Sequence, residues 1–163
     1  MHPNVVVITG GIASGKSTVS SMFEALGAPV FNADTLYHQL IAPRADGTPS
    51  DLAQKIAQAF PGVLLKDGTI DRAHLGQIVF QDTAKRAVLE EITHPVIVVH
   101  ALSQFEACIQ SGHSICFYDV PLFFEKNMFM STGYPSIVVW VPRAVQENRL
   151  KLRNALLSQE EIT

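Results

Sequence analysis

Cysteine is scarce in this chain: Cys108 and Cys116 are the only two in 163 residues. Two thiols are too few for a disulfide-stapled scaffold, and they do not form a C-x-x-C pair, so both are expected to be buried and reduced. The six histidines (His2, His38, His74, His94, His100 and His113) show no ligand spacing with a cysteine or carboxylate, which argues against a structural zinc site. No unbroken apolar run reaches about 18 residues, so no membrane span is expected. The first residues lead directly into a strand pattern without a basic, apolar leader, and cytoplasm is the default compartment. Charge is thin as well. Charged residues make up 17% and the formal net charge is −3, which speaks against a nucleic-acid partner. Repeats and low-complexity segments are absent, and nothing points to an obligate protein partner. What remains is a fairly apolar chain, 47% hydrophobic, long enough for one domain with a real core.

The most informative stretch is Gly10-Gly11-Ile12-Ala13-Ser14-Gly15-Lys16-Ser17. It matches the phosphate-loop pattern G-x-x-x-x-G-K-[ST] and stands in the context that gives the pattern physical meaning. Before it, Val5 to Ile8 are apolar and β-branched, as in a strand buried on both faces of a parallel sheet. After it, Val19, Met22, Phe23 and Leu26 recur at helical spacing, and Gly27 can end the helix. The glycines let consecutive N–H groups converge on one anion, and the following helix adds its positive dipole end. Lys16 can reach the β- and γ-phosphates of a nucleotide such as ATP, and the Ser17 hydroxyl can ligate Mg²⁺.

Three more strands follow: Ala28 to Asp34, Ser114 to Val120 and Ser136 to Val141. Helical patterns lie between them. Ser50 is expected to cap a helix running to Phe60, Asp71 another carrying Leu75 to Phe80, and Asp82 a third that breaks or kinks at Pro95. Lys66 to Thr69 reads as a tight turn. Residues 143–157 form a final helix. Strands alternating with helices predict an α/β fold with a parallel sheet, of the phosphate-loop NTPase kind. The core is expected at residues 1–42 and 111–142, a helical insertion at 43–110 and a lid helix at 143–158. Ligands bind such sheets at the carboxyl ends of the strands, where Thr9, Asp34 and Asp119 fall.

At this point the chain resembles the dephospho-coenzyme A kinase family. Ile8 to Ser17 corresponds to the family's phosphate loop and Asn32-Ala33-Asp34 to its Asp-Ala-Asp. Asp67 to Phe80 follows the pattern D-G-x-[IL]-[DN]-R-x-x-L-x-x-x-[VI]-F, and His94 to Ile97 is H-P-x-I. Asp119 to Glu125 matches D-V-P-L-L-F-E, and Gln146 to Arg153 matches the lid pattern Q-x-x-R-L-x-x-R. Three departures stand out: Asn32 replaces the first aspartate, Ala13 replaces a loop glycine, and the segment after Arg153 lacks the usual glycine turn. The family also usually continues beyond the length seen here, and a shortened copy is one reading.

The resemblance implies transfer of the ATP γ-phosphoryl group to the ribose 3′-hydroxyl of dephospho-coenzyme A, with Mg²⁺. It makes Gly11, Ile12, Ala13, Ser14, Gly15, Lys16, Ser17, Thr18 and Arg153 nucleotide contacts. Asp34 becomes the general base, although by position alone a cap for a helix beginning at Thr35 is the better reading. Lys16 and Arg149 neutralise charge, with Arg149 and Arg153 on one face of the lid helix. Ser17 and Asp119 are the metal residues, Asp119 in an outer or loop-orienting role. Thr9, Asp34, Arg72, His94, Pro121 and Phe123 are assigned to the acceptor, with core packing the competing reading for Phe123 and an ion pair for Arg72. Competing functions are another small phosphate-loop kinase or a non-catalytic nucleotide-binding module.

Overall fold

The computed structural model describes residues 4–125 and 128–160. In chain order the elements are β1 (Val5–Thr9), α1 (Lys16–Ala25), β2 (Val30–Asn32), α2 (Ala33–Ile41), α3 (Asp51–Ala59), α4 (Arg72–Phe80) and α5 (Thr83–Gln110). They continue with β3 (Cys116–Asp119), α6 (Met128–Thr132), β4 (Ser136–Val138) and α7 (Arg143–Glu160). The chain divides into two compact units, one made of the segments up to Phe31 and from Ala107 onward, the other of Asn32–Glu106.

The first unit carries the sheet, in the order β2-β3-β1-β4. β1 pairs in parallel with β3 on one side (Val5 opposite Cys116, Ile8 opposite Asp119) and with β4 on the other (Val7 opposite Ser136). Val5, Val7 and Ile8 are fully buried, and all four residues of β3 are buried, as the apolar composition of interior parallel strands requires. Phe23 on α1 stacks on Phe117 of β3 with ring centroids 4.0 Å apart, which fixes the helix against the sheet. α1 ends as its sequence predicts: Gly27 is left-handed at φ +81°, its N–H reaches Glu24 O at 2.9 Å, and the Ala28 N–H reaches Phe23 O at 3.0 Å. β4 is shorter than expected, because ladder pairing with β1 stops at Val138, and all three of its residues are exposed.

The second unit is helical. Ile41, Leu52, Ala53, Ile56, Phe60, Val63, Ile70 and Leu75 form its buried core, with Tyr37, Leu40, Leu89, Ile92 and Val96 packed around it. α2 therefore groups with the helical unit, and the unit begins at Asn32 where the sequence placed its start at residue 43. Ser50 Oγ accepts from the Ala53 N–H (3.1 Å) and Asp71 Oδ1 from the His74 N–H (2.9 Å), so both expected caps are in place. α5 is one helix from Thr83 to Gln110 with Pro95 inside it, so of the expected break or kink the break does not occur. An interior proline costs about 3 kcal/mol, and the packing of Leu89, Ile92 and Val96 against the core offsets it. α5 is also the one described helix long and apolar enough to cross a membrane by length and composition alone, a property that counting unbroken apolar runs does not detect.

Candidate active site

The loop between β1 and α1 is shaped by backbone constraints visible residue by residue. Gly10 leaves β1 pressed against its neighbours: a Cβ there would collide with the Val139 carbonyl and come within 2.8 Å of Ser14 Oγ. Gly15 is left-handed at φ +100° and forms the N-cap of α1. Ala13 also adopts the left-handed region, at φ +57°. The Ser14 N–H turns back to Gly11 O at 3.1 Å. Such a loop leading into a helix N-terminus presents a run of N–H groups to one anion. The loop walls a cavity of about 820 Å³, together with Pro121, Leu122, Val139, Arg149 and Arg153.

Lys16, the first residue of α1, forms an ion pair with Asp119 at the end of β3. Asp119 is 1% exposed. Its other oxygen accepts from Ser20 Oγ at 2.8 Å, so the described partners of this buried carboxylate are both donors from one face of α1. Asp119 does not wall the cavity, whereas Ser17 does, with its residue exposed. Among the described residues no group of three or more histidine, cysteine, aspartate or glutamate side chains could hold a metal by itself.

Arg149 on α7 lies against the loop. Its Nη1 donates to Ala13 O at 3.1 Å and Ser14 O at 2.9 Å. A Cβ on Gly15 would sit 3.2 Å from the same nitrogen, so the glycine serves both the turn and the approach of the arginine. Arg153, one turn further, lines the same cavity. The start of α7 is held by Gln146, whose Nε2 donates to Val141 O at 3.0 Å.

The remaining expected site residues fall as follows. Pro121 lines the cavity. Thr9 is buried at the end of β1, where its carbonyl accepts from the Val139 N–H at 2.8 Å. Phe123 is 1% exposed and packs edge-on to Phe124 at 5.3 Å, as the competing core-packing reading expects. Asp34, Arg72 and His94 belong to the helical unit and are exposed. The cap of α2 is Asn32, whose Oδ1 accepts from the Thr35 N–H at 2.9 Å. Asp34 sits one position past the start of the helix, so the capping alternative for it falls away. Arg72 is close enough to Tyr37 to draw its phenol pKa down, against the larger upward push of burial. Ser20 and Val139 were not anticipated, whereas Leu122 lines the cavity beside Pro121 as one reading of that segment expects. The position of Ser20 four residues after Lys16 was a signal, but its meaning depended on where Asp119 lies.

A parallel sheet, a phosphate loop closing onto a helix N-terminus and a basic helix over the same cavity define a phosphate-loop nucleotide-binding protein. The sequence model of the dephospho-CoA kinase family matches residues 4–163, and the chain belongs to that family. It is 38% identical over 155 residues to the Listeria innocua dephospho-CoA kinase, covering 95% of this chain and 75% of that one. It is 41% identical over 159 residues to the Bacillus licheniformis dephospho-CoA kinase, covering 97% and 76%. Among solved structures, a Thermus thermophilus protein superposes with a TM-score of 0.76 at 26% identity, covering all of this chain and 81% of that one. The Campylobacter jejuni dephospho-CoA kinase gives a TM-score of 0.65 at 28% identity, covering 98% and 81%. The chain thus spans about three-quarters of the length of these curated relatives.

Proposed function

We propose that this chain transfers the γ-phosphoryl group of ATP to the ribose 3′-hydroxyl of dephospho-coenzyme A, yielding coenzyme A and ADP in the final step of coenzyme A synthesis. One observation carries the reading: a phosphate loop, Lys16, Arg149 and Arg153 share a single cavity in a chain of the dephospho-CoA kinase family. Phosphoryl transfer of this kind is chiefly positioning and charge neutralisation. The N–H groups from Gly11 to Thr18 cradle the phosphates, and Lys16 leaves Asp119 for the β- and γ-phosphates. Arg149 and Arg153 neutralise charge on the transferring group. Asp34 takes the proton of the 3′-hydroxyl as that oxygen attacks the γ-phosphorus. The bond to the β–γ bridging oxygen breaks and ADP leaves.

The donor set suits Mg²⁺. Ser17 offers an exposed hydroxyl oxygen in the cavity wall, a hard ligand of the kind Mg²⁺ prefers. Asp119, with its oxygens already engaged by Lys16 and Ser20, suits an outer position. Held there, Mg²⁺ would supply positive charge against the phosphates.

We assign Thr9, Asp34, Arg72, His94, Pro121 and Phe123 to the acceptor. Both substrates are small diffusing molecules. The proposal therefore needs no nucleic acid, membrane or protein partner, and it places the enzyme in the cytoplasm.

Incubation with Mg·ATP and dephospho-coenzyme A, read by mass spectrometry, tests it. The wild type is expected to give a product one phosphate heavier. Asp34→Asn should lose about 10²- to 10⁴-fold in rate while still binding ATP. A folded, ATP-binding wild type that leaves dephospho-coenzyme A untouched but phosphorylates another alcohol would overturn the assignment.

A further inference from the structure

We infer that Ser20 is a positioning residue for nucleotide binding, acting through Asp119 to let Lys16 exchange its partner. The inference rests on the phosphoryl-transfer reading only in that Lys16 must meet the nucleotide phosphates. Ser20 is 7% exposed, and its Oγ lies 2.8 Å from Asp119 Oδ2 and 3.2 Å from Lys16 O. The 2.8 Å contact must be donated by the serine, because an ionised carboxylate only accepts. Lys16 and Ser20 are four residues apart on α1, so one turn of helix delivers both donors to a single carboxylate.

That arrangement matters because Asp119 is 1% exposed. A buried carboxylate is tolerable only when paired and hydrogen-bonded. In the structure Lys16 supplies the ion pair and Ser20 the second hydrogen bond. When the lysine turns to a triphosphate, Asp119 loses its ion-pair partner and the Ser20 hydroxyl becomes the donor that remains from α1. The Ser20 bond is therefore worth more to the nucleotide-bound state than to the free one. Removing it penalises release of Lys16, and so penalises nucleotide binding. A hydroxyl that merely packed or bonded back to its own helix would affect both states alike.

The test compares ATP affinity by isothermal titration calorimetry without divalent cation, steady-state kinetics with each substrate, and thermal unfolding. Ser20→Ala is expected to weaken the ATP Kd about tenfold, about 1.4 kcal/mol. The KM for ATP should rise in parallel, with the KM for dephospho-coenzyme A unchanged. Ser20→Thr, which keeps the hydroxyl, should restore wild-type ATP affinity. Ser20→Ala with wild-type ATP affinity and only a lowered melting temperature would overturn the inference, as would equal weakening by Ala and Thr. The calorimetry needs no turnover. A chain that binds ATP but does not phosphorylate dephospho-coenzyme A would fail the functional reading and still decide this one.

Discussion

Arg149 Nη1 donates to two consecutive carbonyls of the phosphate loop, those of Ala13 and Ser14, at 3.1 and 2.9 Å. α7 is thus in direct contact with the phosphate loop. These are weak anchors, since partly exposed hydrogen bonds add little net stability. In the proposed reaction the guanidinium would gain far more from charge developing on a transferring phosphoryl group in the same cavity. Arg149→Ala should therefore lower kcat about 10²- to 10³-fold, with little change in melting temperature. Arg149→Lys should recover only part, because the planar fork is lost. A rise in the KM for ATP at unchanged kcat would show that Arg149 holds the ground state and the transition state equally, with no preference for the transferring group.

Ala13 occupies the left-handed region at φ +57°, two residues before Gly15 at φ +100°. The left-handed conformation costs an L-residue about 1–2 kcal/mol, and glycine escapes that cost while adding about 0.4–1 kcal/mol of unfolded-state entropy. The balance favours glycine. Ala13→Gly should raise the melting temperature by about 1–4 °C and leave ATP affinity near the wild-type value. A lower melting temperature would mean that the alanine methyl is held by favourable packing, and the strain argument would fail.

What could be read from the chain divides along local and distant relations. The strand, loop and first helix were legible because Val5 to Gly27 carries its own apolar spacing and stop signal. The caps at Ser50 and Asp71 were legible for the same reason: each bonds an N–H three residues on. The cap of α2 was misplaced by two residues, since Asn32 and Asp34 both suit that role and only the path of β2 decides between them. Phe123 was undecidable from composition, because an aromatic after a strand suits a pocket wall or a core equally. The Asp119 network was out of reach. Its donors Lys16 and Ser20 lie 103 and 99 residues away, and no spacing rule links them.

Two glycines of the helical unit should respond in opposite ways to the same substitution. Gly68 is left-handed at φ +79°, and a Cβ there would lie 2.5 Å from Gly47 O and 3.1 Å from Pro49 N. It sits in the Asp67-Gly68-Thr69 turn, where Asp67 Oδ1 accepts from the Thr69 N–H at 3.0 Å, packed on the like turn Asp46-Gly47-Thr48. Backbone strain and overpacking add, so Gly68→Ala should destabilise by about 2–4 kcal/mol. Gly76 lies inside α4 with nothing within 4 Å of its would-be Cβ. Gly76→Ala should stabilise by up to about 1 kcal/mol through helix propensity. Urea unfolding of both variants checks this, and destabilisation by Gly76→Ala would show that its backbone is needed for a close approach.

The paired thiols set an alkaline limit on stability. Cys108 and Cys116 are both buried and free. Burial, with the neighbouring Cys108 thiol as a smaller cause, pushes Cys116 from an ordinary 9.0 up to about 12. The folded state therefore holds this proton after the unfolded chain has released it. The resulting stabilisation is complete below about pH 9 and is lost as the pH rises from there through about 12. At pH 8 the thiolate is so rare that a thiol-alkylating reagent should leave Cys116 unmodified until the chain unfolds. Unfolding free energies at pH 8 and pH 10.5 should fall more steeply with pH for the wild type than for Cys116→Ala. The comparison of slopes cancels alkaline groups that do not sense Cys116; Tyr134, raised by burial and further by Cys116, loses that second cause in the variant and moves with it. Equal slopes would mean that the thiol ionises freely in the folded chain, and rapid alkylation of Cys116 at pH 8 would say the same by an independent route.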